Sequence, residues 1–412
     1  MVYLYNLGIH IYVLLVNIVS PFNKKARLWK DGRKNWQKKI RSVVDPSCQT
    51  IWVHCSSLGE FEQGRPVIEA IKEKYPDKKI ALTFFSPSGY EVRKNYSGAD
   101  YIFYLPIDTK RNAQKFIALI NPEFAVFVKY EFWYHYLSLL KKKRIPTYII
   151  SANFRDNQVF FKFYGKWYRN FLQNFNHLFV QNKHSQELLN VVGITNVTVS
   201  GDTRFDRVVR VASEARGIRL IEQFCAGEKM IIAGSTWPRD DELLLEFLRH
   251  NHRTKMIIAP HEINPKYIHD IQQTFPEESL LFSQGQNHSP QNARLLIIDT
   301  IGLLASIYRY GHIAYIGGGF GAGIHNTLEA AAFGLPVIFG PNYQKFQEAR
   351  ELINLGAGFS INTSQELLNL LNLFLTDEQS RIKAGGKSKK FVLSGVGATS
   401  SILKEIVLGV SL

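Results

Sequence analysis

The chain has 412 residues, 45% hydrophobic and 21% charged, which excludes a disordered polymer and, at this length, favours two domains over one core. Lysine and arginine total 50 against 35 acidic residues, a formal net charge of +15, so a polyanionic partner is expected: nucleic acid, an anionic membrane or a phosphorylated substrate. Cys48, Cys55 and Cys225 are odd in number and lack Cys-x-x-Cys spacing, which argues against a disulfide framework and fits a reducing cytoplasm.

Residues 1–22 form a nearly uncharged apolar run. It is followed by Lys24, Lys25, Arg27, Lys30, Arg33, Lys34, Lys38, Lys39 and Arg41, with Asp31 the one acid among them. That order predicts a membrane anchor with a cytoplasmic basic flank. A cleaved signal peptide would carry its positive charge before the apolar run and small residues at its end. Asn6, His10, Asn17 and Ser20 share one helical stripe, leaving open whether the segment spans the bilayer, lies in the interface or is a core helix.

From residue 23 to 205, short β-branched and aromatic runs alternate with helical patterns: Ile51–His54, Ile80–Phe85, Phe124–Val128, Thr147–Ile150, His177–Val180 and Val197–Ser200. This rhythm predicts parallel β-α-β units of a Rossmann-like α/β domain. Two acids follow strand ends. Glu60 closes His54-Cys55-Ser56-Ser57-Leu58-Gly59-Glu60, and Glu131 sits in Lys129-Tyr130-Glu131-Phe132-Trp133. A carboxylate at such a position can accept a proton from an attacking hydroxyl; helix N-terminal capping is the alternative for both.

Residues 206–227 read as a charged helical stretch with little core-like patterning, linking two domains. The rhythm restarts over 228–395 with Met230–Ala233, Lys255–Ala259, Ala293–Ile298, Ile313–Ile316 and Val337–Phe339. Two such domains predict a cleft suited to a two-substrate enzyme. Between Ile313–Ile316 and Val337–Phe339 lies a glycine-rich loop with Gly317, Gly318, Gly319, Gly321 and Gly323, then His325-Asn326-Thr327-Leu328-Glu329. Its backbone N–H groups and helix start are expected to approach a phosphate, with Glu329 on ribose hydroxyls. It is neither a P-loop nor a convincing dinucleotide fingerprint. Pro260-His261 and Ile301-Gly302-Leu303 fall at further strand ends around the same pocket. Residues 396–412 predict an amphipathic helix, with Ile402, Leu403, Ile406, Val407 and Val410 on one face. Without Asp-x-Asp, His-Glu-x-x-His or paired cysteines, no metal is expected, and no nucleic-acid motif is present.

Taken together, the anchor with its basic flank, Ser57-Leu58-Gly59-Glu60, Glu131-Phe132-Trp133, Gly201–Asp206 and the His325–Glu329 block ending in Gly340-Pro341-Asn342 resemble the 3-deoxy-D-manno-octulosonic acid (Kdo) transferases. The resemblance implies the GT-B architecture, a CMP-Kdo donor, a lipid A precursor as acceptor, no cofactor, and attachment to inner-membrane lipids at the cytoplasmic face. It implies that Glu60 is the catalytic base and that Glu131 assists the transition state. CMP contacts would fall on Pro260, His261, Ile301, Gly302, Leu303, Asn326, Thr327, Leu328 and Glu329. The chain departs from the family where Arg204 stands for a lysine, Pro260 for an arginine and Leu303 for an acid. Arg204 would then supply the positive charge, with a different shape.

Overall fold

The computed structural model describes residues 1–287 and 290–409. They form two compact units, Met1–Asp206 together with the chain from Gly397 onward, and Arg207–Val396.

The first unit is a seven-stranded sheet of β1 (Thr50–Cys55), β2 (Lys79–Phe84), β3 (Tyr101–Tyr104), β4 (Pro122–Val128), β5 (Thr147–Ala152), β6 (His177–Val180) and β7 (Val197–Val199), in the order β3-β2-β1-β4-β5-β6-β7. Every pairing is parallel. The strand order reverses between β1 and β4, and in open α/β sheets ligand sites form outside the carboxyl ends of the strands at this reversal. Alternation divides β1 between two cores. Ile51, Val53 and Cys55 pack with Phe61, Val67 and Ile68 of helix Leu58–Lys74, while Trp52 packs with Phe116, Phe127 and Tyr136 on the other face. Layers on both faces account for the complete burial of β1 and β5.

The second unit repeats the plan with β8 (Met230–Thr236), β9 (Lys255–Pro260), β10 (Ser279–Leu281), β11 (Leu295–Ile297), β12 (Ile313–Ile316), β13 (Val337–Phe339) and β14 (Gly358–Ser360), ordered β10-β11-β9-β8-β12-β13-β14. Its reversal lies between β8 and β12. Three strands were not anticipated from the sequence: β3, β10 and β14. All three are sheet edges, where a short strand needs no long apolar run.

The helical stretch expected over 206–227 is two helices, Thr203–Glu214, which runs through the unit boundary, and Arg219–Cys225. The last helix, Ala398–Gly409, belongs to the first unit: Ile402 and Ile406 complete its core. Asp206 fixes that helix's start, accepting from Gly397 N at 2.6 Å and from Thr399 N and Oγ1 at 2.7 Å. Val410 lies outside the described residues.

Helix Val2–Val19 is long and apolar enough to cross a membrane, with mean hydropathy 1.7. None of its residues is buried, so it is not a core helix. It touches the first unit through a few side chains. Asn6 Oδ1 lies 2.7 Å from His135 Nε2, and Tyr12 meets Trp29 edge-on with ring centroids 5.4 Å apart.

Candidate functional site

Glu60 sits in the first turn of helix Leu58–Lys74. Its Oε2 accepts from the backbone N–H groups of Ser56 and Ser57, the latter at 3.2 Å. It therefore does cap the helix, as the alternative reading held. Capping by itself would favour the carboxylate, yet burial and the neighbouring Glu131 charge lift the Glu60 carboxyl to about 7, against those N–H groups and Lys129. A carboxyl at that value changes protonation near neutral pH, as a general base requires. Glu131, buried, follows β4, the neighbour of β1. The sheet reversal thus brings together two acids 71 positions apart (131 − 60) in the chain.

Glu131 is held by His54 and Trp133, neither of which the sequence linked to its carboxylate. Its Oε2 accepts from Trp133 Nε1 at 2.8 Å and lies 3.1 Å from Nε2 of fully buried His54. His54 was visible within its motif, but nothing in the spacing linked it to residue 131. Lys129 adopts left-handed backbone, φ +62°, unusual for a long side chain, and its charge acts on both Glu60 and Asp202.

Arg204 is not an unopposed cation. Its Nε and a terminal guanidinium nitrogen reach Asp202 Oδ2 at 2.9 and 2.8 Å, and its backbone N–H meets Oδ1 at 3.0 Å. Asp202 also accepts from Gln63 and Gln181 at 3.1 Å. Despite burial, Arg204 keeps the Asp202 carboxyl below its ordinary range. The expected free positive charge is thus largely balanced within the unit.

In the second unit the glycine-rich loop departs from a simple phosphate cradle. Four of its N–H groups are taken internally: Gly317 by Gly234 O at 2.9 Å, Gly318 by Asp240 Oδ2 at 2.8 Å, and Gly321 and Gly323 by Gly318 O at 3.0 and 3.3 Å. Among the described residues, Gly319 alone of the five has no such acceptor. The glycines are demanded by space: a Cβ on Gly317 would stand 2.3 Å from Ser235 O, and one on Gly319 2.6 Å from the Gly340 backbone. Asp240, buried, also accepts from Tyr315 Oη at 2.8 Å.

His261 follows Pro260 at the end of β9 and lies in a ring stack, 5.0 Å from Trp237 and 4.1 Å from His325 by centroids. Trp237 Nε1 donates to His325 Nε2 at 3.0 Å. Burial and the adjacent His261 hold His325 down to about 4. Trp237, part-exposed at the end of β8, was missed because an isolated tryptophan carries no motif. Asn326 Nδ2 donates to Glu329 Oε1 at 3.0 Å, and Asn326 Oδ1 accepts from Leu328 N at 3.2 Å. The side chains of Thr327 and Leu328 are buried. Ile301 is 91% exposed, and Gly302 follows with φ +94° before Leu303 and helix Leu304–Ile307.

Residues 30–207 match the sequence model described as 3-deoxy-D-manno-octulosonic-acid transferase. The 3-deoxy-D-manno-octulosonic acid transferase of Aquifex aeolicus is 27% identical over 348 residues, 82% of this chain and 90% of that protein. The enzyme of the same name from Chlamydia trachomatis serovar A is 27% identical over 357 residues, 83% of this chain and 81% of its own. Among solved structures, the UDP-GlcNAc 2-epimerase of Neisseria meningitidis, bound to UDP-GlcNAc, superposes with a TM-score of 0.60 at 16% identity, covering 88% of this chain and all of that one; this likeness shows the two-domain GT-B-like fold alone. The chain is thus similar to the 3-deoxy-D-manno-octulosonic-acid transferases, by the family match over residues 30–207 and by its relatives over most of its length.

Proposed function

We propose that this chain is an inverting glycosyltransferase that moves Kdo from CMP-Kdo to the primary hydroxyl of a lipid A precursor at the cytoplasmic face of the inner membrane. The observation that carries the reading is Glu60, a carboxyl lifted to about 7 beside a second acid at the carboxyl ends of β1 and β4. It lies within the stretch that matches the Kdo transferases. Glu60 takes the proton of the acceptor hydroxyl as its oxygen bonds to the anomeric carbon. The bond to the CMP phosphate breaks with its electron pair leaving on that phosphate, in a single displacement with no covalent intermediate. Glu131 stabilises the positive charge that develops on the sugar. His261, Asn326 and Glu329, with the backbone of Pro260, Ile301, Gly302 and Leu303, hold the CMP moiety.

Helix Val2–Val19 and the basic residues after it serve as the anchor, with lysines and arginines on anionic headgroups. No metal or cofactor has a part in the reaction, and CMP, with one phosphate, needs none to neutralise a diphosphate. The test combines purified full-length protein, CMP-Kdo generated in situ and a lipid A precursor, with mass spectrometry counting the sugars added, with and without excess EDTA. A mass increase of one or more Kdo units, insensitive to EDTA, supports the reading. Turnover of a UDP-sugar with no use of CMP-Kdo overturns it.

A further inference from the structure

On β1, behind the two acids, His54 is fully buried and has no part in the reaction as written. Its Nδ1 lies 2.8 Å from Thr83 Oγ1 and its Nε2 3.1 Å from Glu131 Oε2. The Thr83 hydroxyl has one proton to give, and its oxygen already accepts from Trp52 Nε1 at 2.8 Å. Two acceptors lie within reach of that proton: His54 Nδ1 at 2.8 Å and the Val53 carbonyl at 3.5 Å. The shorter is the better hydrogen bond. If Nδ1 accepts, the proton of the neutral imidazole sits on Nε2 and points at the Glu131 carboxylate. Trp133 Nε1 lies 2.8 Å from the same oxygen and 3.2 Å from His54 Nε2; the carboxylate oxygen is the nearer and the charged acceptor, so the indole N–H goes to it. Two N–H groups therefore converge on Oε2, while Oε1 has no hydrogen-bond partner among the described residues.

We infer that His54 is a positioning residue: through Nε2–H, together with the Trp133 indole, it holds Glu131 as an oriented carboxylate that offers Oε1 to the substrate, and Thr83 fixes the tautomer that makes this possible. The inference rests on the reading of Glu60 and Glu131 as the transfer centre and divides their labour. Glu131 is the oriented hydrogen-bond acceptor; Glu60, whose field includes the Glu131 carboxylate, Lys129, the Tyr130 phenol and the Cys55 thiol, takes up and releases the proton.

Two measurements on the full-length protein test this. Long-range ¹H–¹⁵N correlation spectra of ¹⁵N-histidine-labelled protein should show His54 as the Nε2–H tautomer, with that tautomer no longer fixed in Thr83→Val. An Nδ1–H tautomer or an imidazolium in the wild type overturns the proposal, whether or not Kdo transfer has been demonstrated. In the transfer assay, His54→Leu should lose on the order of 10²-fold in kcat with KM for CMP-Kdo unchanged, whereas His54→Gln, which keeps an N–H near the Nε2 position, should stay within about tenfold of wild type. A folded His54→Leu enzyme with normal kcat overturns the proposal. Should His54→Leu fail to fold, the tautomer measurement decides. Failure of the wild type to transfer Kdo at all would fall on the function and leave the tautomer result standing.

Discussion

The Tyr5 hydroxyl donates to Asp108 Oδ2 at 2.6 Å, and the same carboxylate caps the helix that follows Trp133 by accepting from His135 N at 3.0 Å and Tyr136 N at 3.1 Å. The apolar N-terminal helix is therefore bonded to the support of the segment that carries Glu131. Deleting residues 1–22 should release the protein from membranes into a salt-extractable fraction, since the remaining basic cluster contributes on the order of 1 kcal/mol per residue on anionic lipid and is screened by salt. It should also lower transfer to a detergent-dispersed acceptor while leaving CMP affinity, measured by calorimetry, unchanged. Equal salt extraction of both forms would show that the helix is no anchor.

Glu60→Gln keeps the shape of the side chain and loses its basicity. Transfer should fall by about 10²- to 10⁴-fold with CMP binding retained. Stopped single-turnover assays are the direct check, and a folded variant turning over at the wild-type rate would remove Glu60 from the role of base.

The pH dependence follows from the same residue. Because Glu60 is lifted to about 7 and must be ionised to take a proton, kcat/KM should rise with pH through that value and level off above it. Were the carboxyl at its ordinary position, the acid limb would lie near about pH 4.5. A pH–rate profile with saturating CMP-Kdo separates the two.

Arg204→Ala removes the guanidinium and leaves the buried Asp202 with its two glutamine donors and the backbone N–H of residue 204. The expected loss of stability near neutral pH is about 2 kcal/mol, the scale of a hydrogen bond to a charged group. Asp202 is depressed in the folded protein, so the stabilisation is present above its unfolded value and is lost as pH falls through the folded one. Urea unfolding should show the gap between wild type and variant at pH 7 and its shrinkage in acid. An equal gap at both pH values would contradict the pairing.

Gly319→Ala places a methyl group 2.6 Å from the Gly340 backbone. Overpacking of this kind costs typically about 1–3 kcal/mol. Thermal unfolding should report it, with CMP affinity falling alongside because the loop must move; Gly321→Ala, whose Cβ finds its nearest neighbour at 3.6 Å, should be tolerated far better.

The interior strands were legible in the sequence because each is an apolar run buried on both faces, as at Phe124–Val128 and Ile313–Ile316. Tyr101–Tyr104 and Gly358–Ser360 escaped because an edge strand of three or four residues, partly exposed, carries little of that pattern. In the site, Glu60 and Glu131 could be named from their places after strands. Their partners His54, Thr83 and Trp133 could not be linked, since register across β1, β2 and β4 is a tertiary fact. The glycine-rich loop illustrates the opposite error. Its composition suggested open N–H groups, while Asp240, 78 positions away in the chain, already occupies one of them.

The return of helix Ala398–Gly409 to the first unit also governs the order of assembly. Asp206 must wait for Thr399, 193 positions later, before its carboxylate is satisfied and Ile402 and Ile406 can seal the core on helix Leu58–Lys74. On the ribosome the second unit can thus close on itself while the first is still open on one face, reversing the usual N-terminal-first sequence of domain folding. A chain cut short at residue 396 would lose little of the unit in which the cut falls, and would instead destabilise the unit synthesised before it.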